Sequence, residues 1–172
     1  IHKPKKKVHI FPYDISFIGT ADKERISIMS KLTDFKIIIA GWGWKEANIS
    51  GKSIKVFSAV DSYKMSKIYQ KSKISLNIPR RQNYDSHNMK TFEITSMNGL
   101  MLTRKSKDQS RYFPENKACI MYRNSDDLRK KIIQILSNYN EYLSIRRTGF
   151  KMSKKHSYVN RAQYLLKLIY NQ

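Results

Sequence analysis

The stretch Asn88-Met89-Lys90-Thr91-Phe92-Glu93-Ile94-Thr95-Ser96-Met97-Asn98-Gly99, followed by Leu100-Met101-Leu102, decides how this chain is read. Its pattern predicts a short helix with a carboxylate, Glu93, in the first turn. A glycine ends the helix and an apolar run continues as a buried strand. In a parallel sheet such helices start at the carboxyl edge. There the free backbone N–H groups favour phosphates, and a nearby carboxylate suits ribose hydroxyls.

Working outward, the same alternation recurs. Residues 14–20 (DISFIGT) read as a strand stopped by a glycine turn. Asp22 or Thr20 can cap the helix that follows, which carries Ile26, Met29 and Leu32 on one face. Residues 35–41 (FKIIIAG) are apolar almost throughout, as strands covered on both faces are. A loop with Trp42, Gly43 and Trp44 leads to a third strand over 54–60. Asp61 or Ser62 can cap a helix with Met65, Ile68 and Tyr69. A fourth strand over 74–78 is stopped by Pro79.

The segment 100–103 is the fifth strand and 118–122 the sixth. Beyond it the chain turns helical. Leu128, Ile132, Ile135 and Leu136 mark one helix, and residues 141–153 another, interrupted near Gly149. Val159, Ala162, Leu165, Leu166 and Ile169 mark the last. The expected fold is α/β: a Rossmann-like parallel sheet of about six strands, with helices on both faces and a helical carboxyl-terminal tail.

The 172 residues suffice for one domain with a real core. The single cysteine, Cys119, excludes an internal disulfide and fits a reducing cytosol; its apolar neighbours Ala118 and Ile120 predict a buried, inert thiol. No run reaches the ~18 apolar residues of a membrane span, and the start does not read as a signal peptide. The chain opens on Ile1-His2-Lys3-Pro4-Lys5-Lys6-Lys7 rather than methionine. Residues 1–13 are therefore expected to be a basic leader from a missing amino-terminal domain, with the folded domain over 14–172.

The net charge of +21 permits nucleic-acid or anionic-membrane binding. The basic residues are nevertheless spread evenly, with 11 in residues 1–60, 12 in 61–120 and 11 in 121–172. Even spread favours general surface charge over a dedicated binding stripe. A membrane-surface or acidic-acceptor role and nucleic-acid binding stay open as alternatives.

No Gly-rich loop ending in Gly-Lys-Ser/Thr occurs, so a P-loop NTPase is not indicated. The four histidines stand apart from one another and from the cysteine, which argues against a structural zinc site. Glu93 is the leading candidate. A carboxylate there either accepts ribose hydroxyls, each bond worth about 1.5–3 kcal/mol, or complements the helix dipole for about 0.3–1 kcal/mol. Lys90, Asn88 and Thr91 share the helix start and suit a diphosphate. His87, Arg80 and Arg81 lie in the preceding loop, either solvated or closing over an anion. Gly19 ends the first strand, and Arg25 follows it by six residues, either facing phosphate or the solvent.

Several segments in order resemble the glycosyltransferase-like domain of CgeB-type spore-maturation proteins, the carboxyl-terminal half of a GT-B glycosyltransferase. They are Phe17-Ile18-Gly19-Thr20 with Arg25; Ile39-Ala40-Gly41-Trp42-Gly43-Trp44; residues 68–77; residues 88–99; Tyr112-Phe113; Asp126-Asp127-Leu128; and His156-Ser157-Tyr158 with Arg161. The resemblance implies a sheet order of 3-2-1-4-5-6 and a nucleotide-diphosphate-sugar donor, with a UDP-sugar as the family-level guess. It places the ribose-binding glutamate on Glu93. The family's usual arginine is here Lys90, which keeps the charge without the planar fork.

The resemblance also implies an acceptor site made with a missing amino-terminal domain and no metal or other cofactor. The expected location is cytoplasmic, with peripheral docking of the basic surface at the inner membrane face as an alternative. His156, Ser157, Tyr158 and Arg161 would orient the interface with that domain. No catalytic base is assigned, and the piece alone is expected to turn over little. The contrasting expectations are a non-catalytic basic module binding nucleic acid or another polyanion, and a degenerate scaffold.

Overall fold

A computed structural model of the chain describes residues 11–51 and 53–170. One sheet holds six strands: β1 (Tyr13–Ile18), β2 (Ile37–Ala40), β3 (Ile54–Phe57), β4 (Ser72–Asn77), β5 (Met101–Arg104) and β6 (Ile120–Tyr122). Their spatial order is β3-β2-β1-β4-β5-β6 and every pairing is parallel, as expected. The winding reverses between β1 and β4. In open α/β sheets the crevice outside that reversal is where ligands sit.

The helices are α1 (Lys23–Ser30), α2 (Ser62–Gln70), α3 (Met89–Ser96), α4 (Lys107–Tyr112), α5 (Ser125–Ser137), α6 (Leu143–Ser153) and α7 (Tyr158–Tyr170). Strand alternation sorts the core into two layers. Ile15, Phe17, Ile37, Ile39, Ile74 and Leu76 face Met29 of α1 and Leu128, Ile132 and Ile135 of α5. Ile18, Ile38, Ala40, Met101 and Met121 face Ile68 and Tyr69 of α2 and Ile94 of α3. Both faces are covered, which is why the strands read as continuous apolar runs. Cys119 is buried with its thiol pushed up to about 12 by burial, and its Sγ donates to the Phe113 carbonyl at 3.2 Å.

Several expectations need correction. Glu93 lies in the second turn of α3, because Asn88 is the cap and Met89 the first helical residue. The helix ends through Asn98 rather than Gly99. Asn98 takes the left-handed conformation (φ 59°), and the N–H groups of Asn98 and Gly99 bond to the carbonyls of Thr95 and Ile94.

Gly149 does not interrupt α6. A Cβ there would lie 2.5 Å from the Ala118 carbonyl oxygen, so the glycine lets a continuous helix pack against the chain entering β6. Helix α4 went unpredicted, since KDQSRY carries no apolar stripe; it is held instead by its Ser106 cap and the buried Gln109. Helix α7 exists as expected, but its apolar stripe is exposed. Of the basic leader expected over 1–13, residues 1–10 lie outside the described residues, and Tyr13 already pairs with Ser72 at the start of β1. Among the described residues no helix is long and apolar enough to cross a membrane.

Candidate functional site

The carboxyl edges of β1 and β4 open into a cleft of about 580 Å³, walled by Gly19, Thr20 and Arg25 on one side and by His87, Asn88, Met89 and Lys90 on the other. The amino end of α3 points into it. Asn88 accepts a hydrogen bond from the Thr91 N–H at 3.3 Å, and the Thr91 hydroxyl reciprocates with the Asn88 N–H at 3.5 Å, forming a capping box. The N–H groups of Met89 and Lys90 have no acceptor within the helix by its geometry, and they lie at the cleft wall.

Asn88 and Thr91 are committed to building this start. Asn88 and Asn77 exchange two amide hydrogen bonds of 3.2 Å, and Asn77 also donates to Thr103 at 3.2 Å, tying the cap to the ends of β4 and β5. The buried Thr91 hydroxyl donates to Gln109 Oε1 at 2.7 Å. Arg25 is likewise engaged: Nε and Nη2 donate to the Ile78 carbonyl at 3.1 and 2.7 Å, and Nη1 to the Thr20 carbonyl at 2.9 Å. It clamps the turn after β1 to the end of β4, and burial lowers its pKa.

Gly19 belongs to a tight crossing of two loops. Its carbonyl accepts from Trp44 Nε1 at 2.6 Å, and a Cβ at Gly41 (φ 144°) would lie only 2.1 Å from that oxygen. Trp44 is therefore buried and structural, whereas Trp42 is exposed. Arg80 and Arg81 lie 3.8 Å from Asp22 and Glu24 respectively, in weak surface pairs.

Glu93 and Lys90 meet on the same flank of α3, Lys90 Nζ lying 2.5 Å from Glu93 Oε2 and 3.6 Å from Met65 Sδ. Among the described residues Oε1 of Glu93 makes no hydrogen bond and remains available to a hydroxyl donor. The Tyr69 hydroxyl is buried without a partner; burial, then the Glu93 charge, pushes its pKa up.

His87 is oriented by a residue that sequence reasoning missed. Its Nδ1 bonds Asp108 in α4, and Ser86 donates to the same carboxylate oxygen at 3.2 Å. The His87 hydrogen bond holds the Asp108 carboxyl below its usual range. The ring packs at 4.5 Å from Tyr112 and 5.5 Å from Phe92. No signal in sequence joins His87 to Asp108, because α4 itself was not legible. The two sides of α3 thus differ: its start and Lys90 face the cleft at the sheet edge, whereas Glu93 lines a second cavity of about 540 Å³ against α6 and α7. Among the described residues no group of three His, Cys, Asp or Glu converges on a point.

Fold and cleft together define the class: a doubly wound, Rossmann-like α/β fold with a cleft at the reversal between β1 and β4. Residues 23–167 match the model of the family described as Glycosyl transferase-like, and the chain belongs to that family. No curated protein matches by sequence. Among solved structures, it is similar to HepE of Anabaena in complex with UDP and glucose, with TM-score 0.71 at 8% identity over 94% of this chain and 49% of that one.

A TarM variant of S. aureus in complex with Fondaparinux, alpha-GlcNAc-glycerol and UDP gives 0.71 at 15% identity, covering 99% of this chain and 38% of that one. The catalytic domain of the cholesterol-alpha-glucosyltransferase of Helicobacter pylori gives 0.67 at 18% identity, covering 85% of this chain and 99% of that one. At such identities the likeness speaks to the fold alone. The chain spans less than half the length of the TarM and HepE chains.

Proposed function

We propose that this chain is the donor-binding half of a GT-B glycosyltransferase of the CgeB type, taking a nucleotide-diphosphate sugar, in first place a UDP-sugar. The observation that carries the reading is the start of α3 opening on the cleft with Lys90 at its wall, and Glu93, bonded by Lys90 where the second cavity begins, with Oε1 unpartnered. Family membership and the UDP named for two structural relatives support it.

In this reading Glu93 accepts a ribose hydroxyl, while the amides of Met89 and Lys90 and the Lys90 ammonium meet the diphosphate. His87, fixed by Asp108, adds an oriented imidazole at the same wall. Gly19, Asn88, Thr91 and Arg25 shape the wall rather than reach the ligand, since their polar groups already serve the frame. Sugar transfer is assigned to this half together with an acceptor-binding half.

The test is a thermal-shift titration with UDP, GDP, CDP and a short oligonucleotide at low and high salt. One nucleoside diphosphate should stabilise saturably, by about 2.7 kcal/mol at a hundred times its Kd. Salt should change this little, and Glu93→Ala should weaken binding about tenfold or more. Stabilisation by the oligonucleotide alone, lost at high salt and unchanged in Glu93→Ala, overturns the proposal.

A further inference from the structure

The cavity on the far side of α3 has a chemistry of its own. Its walls come from α3, the carboxyl end of α6, the turn after it and the first two turns of α7. Lys154 and Arg161 both line it, and among the described residues neither makes an ion pair. Each is seated on an aromatic ring instead, Lys154 Nζ 5.1 Å from the centre of Phe150 and Arg161 Cζ 4.6 Å from that of Phe92.

His87 and His156 approach the same Phe92 and Tyr112 rings at 4.5–5.5 Å. The lining's acid, Glu93, is already bonded by Lys90. From residue 142 to the carboxyl end the chain carries seven Lys and Arg and no Asp or Glu, so nothing in that segment neutralises the cations. Unpaired cations beside ring faces suit a ligand with an anionic group at one end and an apolar sugar face at the other. A cavity of about 540 Å³ accommodates a ligand of one or two rings.

We propose that this cavity binds a phosphate-bearing sugar or polyol, with Lys154 and Arg161 on the phosphate and the exposed rings of Phe150 and Tyr158 against the sugar. His87, Asn88 and Met89 belong to both this cavity and the donor cleft. A molecule held here borders the donor cleft through these shared residues, which makes it the acceptor end; that role rests on the donor reading, whereas the binding itself does not. Carboxylates fit less well, because two separate cations flank the site and a phosphate offers three oxygens to them.

The test is calorimetry on the 172-residue chain with glucose 6-phosphate, glycerophosphoglycerol and glucose, each with and without UDP. Glucose 6-phosphate should saturate, and glucose should not. Arg161→Gln and Lys154→Gln should each weaken it about tenfold while leaving UDP affinity unchanged. A tighter monoester assigns a free sugar phosphate as ligand, and a tighter diester assigns a phosphodiester-linked chain. Lys90 lines the donor cleft and not this cavity. Loss of the phosphate ligand in Lys90→Gln with full retention in Arg161→Gln and Lys154→Gln places it in the donor cleft and overturns the proposal. Absence of saturable glucose 6-phosphate binding to a chain that still binds UDP overturns it as well, leaving the donor reading intact. Absence of UDP binding with glucose 6-phosphate retained does the reverse.

Discussion

Helices α5 and α7 are both 13 residues long and both carry an apolar stripe of helical period, yet they end in opposite environments. Ile132 of α5 is 0% exposed, while Leu165 and Ile169 of α7 are each 58% exposed. The cause is what each helix follows. Asn124 caps α5 immediately after β6, so the helix folds back onto the sheet and seats Leu128, Ile132 and Ile135 in the core. Helix α7 follows a turn at Lys154–His156 and leaves the sheet behind. Periodicity specifies that a stripe exists; it does not specify which surface covers it.

The largest test of this contrast is Ile132→Ala, expected to cost about 2–5 kcal/mol by denaturant unfolding. Leu165→Ala in the same chain should change stability by less than ~0.5 kcal/mol. Equal costs would mean that α7 is docked in solution, and the contrast would fail. A smaller effect is expected at Gly149, where α6 meets the chain before β6. Alanine there gains about 1 kcal/mol of helix propensity but drives a Cβ into backbone. Gly149→Ala should therefore destabilise by about 1–3 kcal/mol net, and a neutral result would show that α6 can shift off Ala118.

The smallest expected effect concerns pH at the wall where α7 begins. Burial, then Arg161, Lys155 and His87, hold the His156 imidazolium below its usual pKa. The unfolded chain then takes up a proton near pH 6.5 while the folded chain does not. Stability from this group is thus full above about 6.5 and falls as pH drops through the lower folded value. Melting temperatures from pH 8 to 5.5 should show that decline in the wild type and less of it in His156→Gln. Identical profiles would separate His156 from the cationic cluster.

The candidate site repeats the lesson at the scale of single side chains. Glu93, Lys90 and the helix start were legible as candidates because local chemistry made them so: a short helix and an apolar strand directly after it. Arg25, Asn88 and Thr91 were legible as candidate ligand groups, but their side chains bond Ile78 just after β4, Asn77 of β4 and Gln109 of α4, up to 53 residues away. Those partners turn candidate ligand groups into framework. Asp108 was invisible for the same reason, lying 21 residues beyond the His87 it orients.

The sequence by itself determined the alternation of elements, the existence of α3 and its neighbouring strand, the buried faces of the strands and, through the resemblance, the order of the sheet. These depend on contacts between residues close in the chain or on the period of apolar side chains. Only the tertiary structure decided which polar groups remain free, which glycine is a packing requirement rather than a break, and which apolar stripe finds a partner. Those outcomes depend on competition among distant groups for the same hydrogen bonds and the same volume, and local pattern carries no record of that competition.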